Sequence, residues 1–211
     1  MINSIIFDLD GVLVFTDKFH YKAWKNMADS IGVYFDETIN NRLRGVSRMA
    51  SLDIILEKYE GEAMSSDRKA ELAEKKNEYY RELLTTLTED DVSAEVRKSL
   101  AELKKRGIRI AIGSSNKNAK FILEQVGLID EFDAISDGTN ITHSKPDPEV
   151  FLKAAEFLEA DPSTCMVVED AEAGIDAAIA GGMYSAAIGD AVGCNKANYN
   201  LNSISDLLKI V

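Results

Sequence analysis

Cysteine and proline are scarce in this chain of 211 residues: two of the former, Cys165 and Cys194, and three of the latter. Two thiols cannot staple a disulfide scaffold. Cys165 opens the apolar run Cys-Met-Val-Val and reads as a small buried hydrophobe, which suits a reducing compartment. With 13 glycines and so few prolines, collagen-like and low-complexity architectures are excluded. Positive charge is short as well, 24 basic residues against 36 acids, and the net charge of −12 repels phosphate backbones and anionic lipid. Nucleic acid and membrane surfaces are therefore not expected as partners. No run approaches the roughly eighteen apolar residues of a membrane-spanning helix. The opening MINSIIFDLDGVL has no basic start and two aspartates in its apolar stretch, so a secretion signal is not expected and a cytoplasmic location is.

What is present is an ordinary globular composition, 45% hydrophobic and 28% charged, at a length that fits one domain carrying a sizeable insertion. Short apolar runs alternate with helical patterns, the mark of βαβ units and a parallel sheet. Strands are expected at Ser4–Phe7, 108–113, Ala134–Ser136, Met166–Val168 and Tyr184–Ile188, about five in all. Helices are expected at Ala94–Lys105, Asn118–Val126, Pro148–Leu158 and Ala171–Ala180. The stretch from Thr16 to Asp90 is different, since it holds amphipathic helical patterns and no convincing strand. The expected fold is a Rossmann-like α/β core, residues 1–15 and 91–211, with an inserted all-helical cap at 16–90.

The strongest chemical signal is Asp8-Leu9-Asp10-Gly11 at the carboxyl end of the first strand, where open parallel sheets bind their ligands. Two carboxylates that close repel each other unless a cation or a proton exchange uses them. Asp-Gly is also a common turn dipeptide, so a turn with acidic caps is the plain alternative. Glu169-Asp170 follows another strand, either as helix-capping acids or as part of an oxygen-rich site that suits Mg²⁺. Ser114 stands where a strand gives way to a helix, an anion-binding arrangement, and Lys145 is held in a loop by a following proline.

This ordered set, DxDG, a hydroxyl after a strand, Lys-Pro, and Glu-Asp after a further strand, resembles the haloacid dehalogenase superfamily over essentially the whole chain. The resemblance implies phosphoryl transfer. Asp8 would attack phosphorus to form an aspartyl-phosphate, Asp10 would act as general acid and base, and Ser114 and Lys145 would hold the phosphoryl oxygens. Mg²⁺ would be bound by Asp8, the Asp10 backbone carbonyl and Asp170, with Glu169 in support. Asp10 argues against dehalogenation, because a departing halide needs no proton.

The insertion resembles the cap of the sugar-phosphate branch. Thr16, His20, Trp24, Gly45, Val46, Ser47, Arg48, Ser51, Lys76 with Asn77 after it, and on the core Ser115, Asn116, Lys117 and Asn118, are the residues it implies for substrate binding. Arg48 offers a bidentate grip on a second phosphate. The expected reaction is a mutase interconverting β-D-glucose 1-phosphate and glucose 6-phosphate, with glucose 1,6-bisphosphate as intermediate or primer, in a monomeric enzyme. An Mg²⁺-dependent sugar-phosphate phosphatase would use the same core residues. A phospho-accepting signalling receiver domain is a remoter alternative, opposed by the DxD spacing and the cap. Three departures from the family pattern bear on the sugar more than on the chemistry: Phe15 for an acid, Asn116 for a serine and Ala171 for a serine.

Overall fold

The computed structural model describes residues 2–43 and 46–211, so Gly45 lies outside the described residues. The chain forms two compact units: Thr16–Thr86, and the segment ending at Phe15 together with Leu87–Val211. The Thr16–Thr86 unit is built from helices α1 (Asp17–Ser30), α2 (Glu37–Asn41), α3 (Arg48–Leu56) and α4 (Ser66–Leu84). Three of the four start at a side-chain cap. Asp36, Ser47 and Ser65 each accept a hydrogen bond from a backbone N–H three residues on, which satisfies donors that the first helical turn leaves open. Their apolar stripes meet in a core of Trp24, Met27, Phe35, Leu52, Ile55 and Leu72.

The other unit is a six-stranded parallel sheet of β1 (Ser4–Phe7), β2 (Arg109–Gly113), β3 (Ala134–Ser136), β4 (Cys165–Glu169), β5 (Tyr184–Ala187) and β6 (Tyr199–Asn200), in the order β3-β2-β1-β4-β5-β6. It is the α/β class that the sequence patterns imply, with one strand more than expected. The sixth is two residues long, pairs with the end of β5 and has no apolar run to announce it. Helices α5 (Ala94–Lys105), α6 (Ala119–Gln125), α7 (Glu149–Phe157) and α8 (Glu172–Ala180) supply the crossovers. Ile5, Ile6 and Phe7 of β1 are fully buried, as are Ile110–Ile112 and Met166–Val168, because a central parallel strand is covered on both faces. Ile6, Ala111 and Val167 pack against Val150, Phe151, Ala154 and Ala177 of α7 and α8. Among the described residues, no helix is long and apolar enough to cross a membrane.

Candidate active site

The chain leaves β1 toward β2 on one side and later adds β4 on the other, so the strand order reverses around β1. Crevices at such a reversal are where open parallel sheets bind ligands. Phe7 sits in register with Ile112 and with Val168. One or two residues beyond that line, Asp8, Ser114 and Glu169 emerge together at the carboxyl edge. Asp8 N–H continues the ladder onto the Val168 carbonyl at 2.9 Å, and Ser114 N–H bonds the Ser136 carbonyl at 3.1 Å.

Lys145 reaches this edge from the loop before α7. Its Nζ donates to Asp8 Oδ1 at 2.5 Å and also to Glu169 Oε1, and it lies 4.7 Å over the centre of the Phe151 ring. All three polar partners are buried. Burial alone would favour a neutral lysine, but the carboxylates of Asp8 and Glu169 reverse that and hold the ammonium charged, its pKa above the ordinary lysine range. Burial also pushes the Asp8 carboxyl well above the usual range. Lys145 pulls it back, while Glu169, Asp10 and Asp170 push it up again.

That balance leaves an excess of negative charge. Carboxylate oxygens of Asp8, Glu169 and Asp170 lie within 4.8 Å of one another, with one lysine among them. An all-oxygen, net-negative donor set fits a hard divalent cation such as Mg²⁺. Two glycines make room for these carboxylates. A Cβ at Gly11, whose φ is +84°, would collide with the Asp170 carboxylate, and one at Gly174 in α8 would collide with that of Glu169. Neither glycine stands out as a site residue in the sequence, although an isolated glycine inside a helical pattern such as Glu172–Ala180 is a signal of close approach. Glu169 is fixed from its other side by the Ala171 N–H, which donates to Oε2 at 2.9 Å.

The loop after β2 forms the remaining wall. Ser114 Oγ accepts from the Asn116 N–H at 3.1 Å, which leaves its hydroxyl hydrogen able to donate to an anion. Asn116 donates from Nδ2 to Asp10 Oδ2 at 3.0 Å, while its Oδ1 accepts from the Asn118 N–H at 2.9 Å. Asn118 is buried and Lys117 exposed. Ser115 Oγ is buried without a hydrogen-bond partner among the described residues.

The residues expected on the cap lie in the helical unit and fall into two groups. Lys76 is only 4% exposed, although it belongs to a stretch of sequence that reads as a solvated charged face. Its Nζ lies 3.1 Å from His20 Nδ1 and over the rings of Trp24 and Tyr80 at 4.7 and 4.4 Å. Removal from water, then the Lys76 and Arg48 charges, hold His20 well below the ordinary histidine range. It is therefore neutral, with Nδ1 accepting from the ammonium. Arg48 bonds Asn77 Oδ1 at 2.9 Å and Glu74 at 3.4 Å. The second group is structural in its visible contacts. Ser47 caps α3, Thr16 and Ser51 are buried, and the Val46 N–H bonds the Leu43 carbonyl.

The sheet order, the strand-edge acids and the buried lysine make an acidic crevice at the carboxyl edge of an α/β core, and the chain belongs to the haloacid dehalogenase-like hydrolase family, whose model matches residues 2–182. It is 40% identical to the β-phosphoglucomutase of Bacillus subtilis over 97% of this chain and 91% of that protein. A crystal structure of β-phosphoglucomutase from Clostridium difficile superposes with a TM-score of 0.90 at 39% identity, covering 98% of this chain and 93% of that one. A phosphorylated carbohydrates phosphatase of Thermotoga maritima is 30% identical over 85% of this chain and 82% of its own length.

Proposed function

We propose that this protein is a β-phosphoglucomutase, converting β-D-glucose 1-phosphate to glucose 6-phosphate through an aspartyl-phosphate on Asp8 and a glucose 1,6-bisphosphate intermediate. The observation that carries the reading is the buried Lys145 ammonium held between Asp8 and Glu169 at the sheet's carboxyl edge. Such a charge beside a strand-end carboxylate has its use when phosphoryl oxygens arrive. The 40% identity to a named mutase over nearly the full chain supports the sugar.

In this reading Asp8 carries the phosphoryl group at the start. The 6-hydroxyl of β-glucose 1-phosphate loses its proton to Asp10 and attacks phosphorus as the bond to Asp8 breaks, which gives the 1,6-bisphosphate. The bisphosphate then presents its other phosphate: an Asp8 oxygen forms the bond to phosphorus as the bond from phosphorus to the sugar O1 breaks, and Asp10 returns the proton to the departing oxygen, which leaves glucose 6-phosphate and restores the aspartyl-phosphate. Ser114 and Lys145 hold the transferring oxygens throughout, and charge neutralisation rather than covalent work supplies most of the rate. Arg48 and Lys117 are donors suited to the non-reacting phosphate. Asp8, Glu169, Asp170 and the Asp10 backbone carbonyl would hold Mg²⁺, which when bound there would offset the negative charge of the phosphoryl group. A monomer working on a cytoplasmic sugar phosphate completes the proposal.

The competing reading is a sugar-phosphate phosphatase, favoured by the phosphatase relative at 30% identity. A panel of phosphosugars, run with and without a bisphosphate primer and read for isomerised sugar and free phosphate, separates the two. Primer-dependent glucose 6-phosphate from β-glucose 1-phosphate is expected. Rapid phosphate release without glucose 6-phosphate would establish the phosphatase.

A further inference from the structure

Asn116 is one of the residues expected to bind substrate, and its side chain bridges two other groups of the site. At one end, Nδ2 donates to Asp10 Oδ2 at 3.0 Å, and at the other, Oδ1 accepts from the Asn118 N–H at 2.9 Å. Its own N–H is on Ser114 Oγ at 3.1 Å. The residue thus links the proposed acid–base carboxylate to the loop that carries the proposed phosphate-binding hydroxyl. We infer that Asn116 is a positioning residue for Asp10, fixing the orientation of its carboxylate against the Ser114 loop. The inference rests on the role of Asp10 given above.

The physical case is geometric. Asp10 follows the nucleophile by two residues on the turn that leaves β1, where a short carboxylate can swing about its side-chain bonds. An amide donor anchors one oxygen, and the anchoring amide is itself oriented because its oxygen is tied to Asn118. A proton in transit then rides on the carboxylate oxygen that Asn116 does not occupy. General acid–base catalysis depends on such alignment, since the proton must be delivered within hydrogen-bond reach of the departing oxygen.

The test compares leaving groups. Asn116→Asp keeps the acceptor for Asn118 N–H, loses the donor to Asp10 and sets a like charge beside it. Single-turnover phosphoenzyme formation is followed from a sugar phosphate, whose alkoxide must be protonated as it leaves, and from p-nitrophenyl phosphate, whose phenolate departs without a proton. Acting through Asp10, Asn116→Asp loses at least about tenfold more rate on the sugar phosphate than on the aryl phosphate, within the about 10²–10⁴-fold range of acid–base catalysis. The steady-state loss on sugar phosphate falls on kcat rather than KM. Equal losses on the two substrates, or a raised KM with kcat preserved, overturn the inference. Asn116→Ala, which adds no charge, gives the same ordering if the aspartate variant does not fold. The comparison needs only phosphoenzyme formation, so it stands even if the wild type makes no glucose 6-phosphate.

Discussion

Gly174→Ala puts the packing of the site under the most pointed test, because local and tertiary effects have opposite signs there. Gly174 is the third residue of α8, where alanine ordinarily gains about 1 kcal/mol over glycine. Here the new Cβ would land on the Glu169 carboxylate. That carboxylate cannot step aside, since its side chain is 2% exposed and is gripped by Lys145 on one oxygen and the Ala171 N–H on the other. Overpacking of this kind costs about 1–3 kcal/mol, and a displaced charge-assisted hydrogen bond costs about 1.5–3 more. Set against the propensity gain, the net loss is about 1.5–5 kcal/mol. For a chain of this size that lowers Tm by roughly 3–20 °C. Thermal unfolding followed by circular dichroism reads the stability. Phosphotransfer should fall with it, because Lys145 loses one of the two carboxylates that hold it. A variant with equal or higher Tm and undiminished activity would refute the claim that Glu169 is boxed in by this glycine.

Mg²⁺ should stabilise the wild type by about 2.7 kcal/mol at a hundredfold excess over Kd, because it binds only the folded site, and so raise its Tm, and excess chelator should abolish activity until Mg²⁺ is restored. Asp170→Asn should remove most of that shift, and a calorimetric titration that finds equal Mg²⁺ affinity in the variant contradicts the donor set. Arg48→Ala should cripple mutase flux while lowering stability only modestly, since it loses a part-buried bond to Asn77, of a kind worth about 0.5–1.5 kcal/mol, and an exposed pair with Glu74, of a class worth about 0–1 kcal/mol; a wild-type flux would remove Arg48 from substrate binding. Glu149 accepts from the N–H groups of Thr142 and His143 and so ties down the loop that presents Lys145, and these bonds hold its carboxyl at a pKa of about 2. A lowered folded-state pKa contributes stability above the ordinary carboxyl range that is lost as pH falls through about 2. Acid unfolding of Glu149→Gln should therefore show a shallower loss between pH 4.5 and 2 than wild type, and superposable curves would show that the tie does not matter.

Much of the sheet was legible because a parallel strand buried on both faces must be an unbroken apolar run, as in Ile5–Phe7 and Met166–Val168. Element ends follow from local chemistry in the same way: Ser93 caps α5 by accepting from the Val96 N–H, and Gly107 follows its last turn. β6 was not legible, since two residues in an edge ladder carry no period. The strand-end acids stand out because their mutual repulsion carries a cost, and the fold brings Asp8, Glu169 and Asp170 together. Lys76 is among the expected binding residues, but its burial was not legible, because the charge density of its helix masks one buried position and only the fold brings Trp24, Tyr80 and His20 around it. The Asn116–Asp10 bond depends on a contact between residues 106 positions apart, which no local pattern encodes.

The central claim is that Asp8 takes a phosphoryl group and returns it to a sugar rather than to water. It is tested most directly by labelling the enzyme with ³²P from glucose 1,6-bisphosphate, trapping the acid-stable phosphoenzyme, and chasing a parallel sample with β-glucose 1-phosphate. One label is expected on Asp8, absent from Asp8→Asn, that chases into sugar bisphosphate and glucose 6-phosphate. Label that is lost as inorganic phosphate at the same rate with and without the sugar would contradict it.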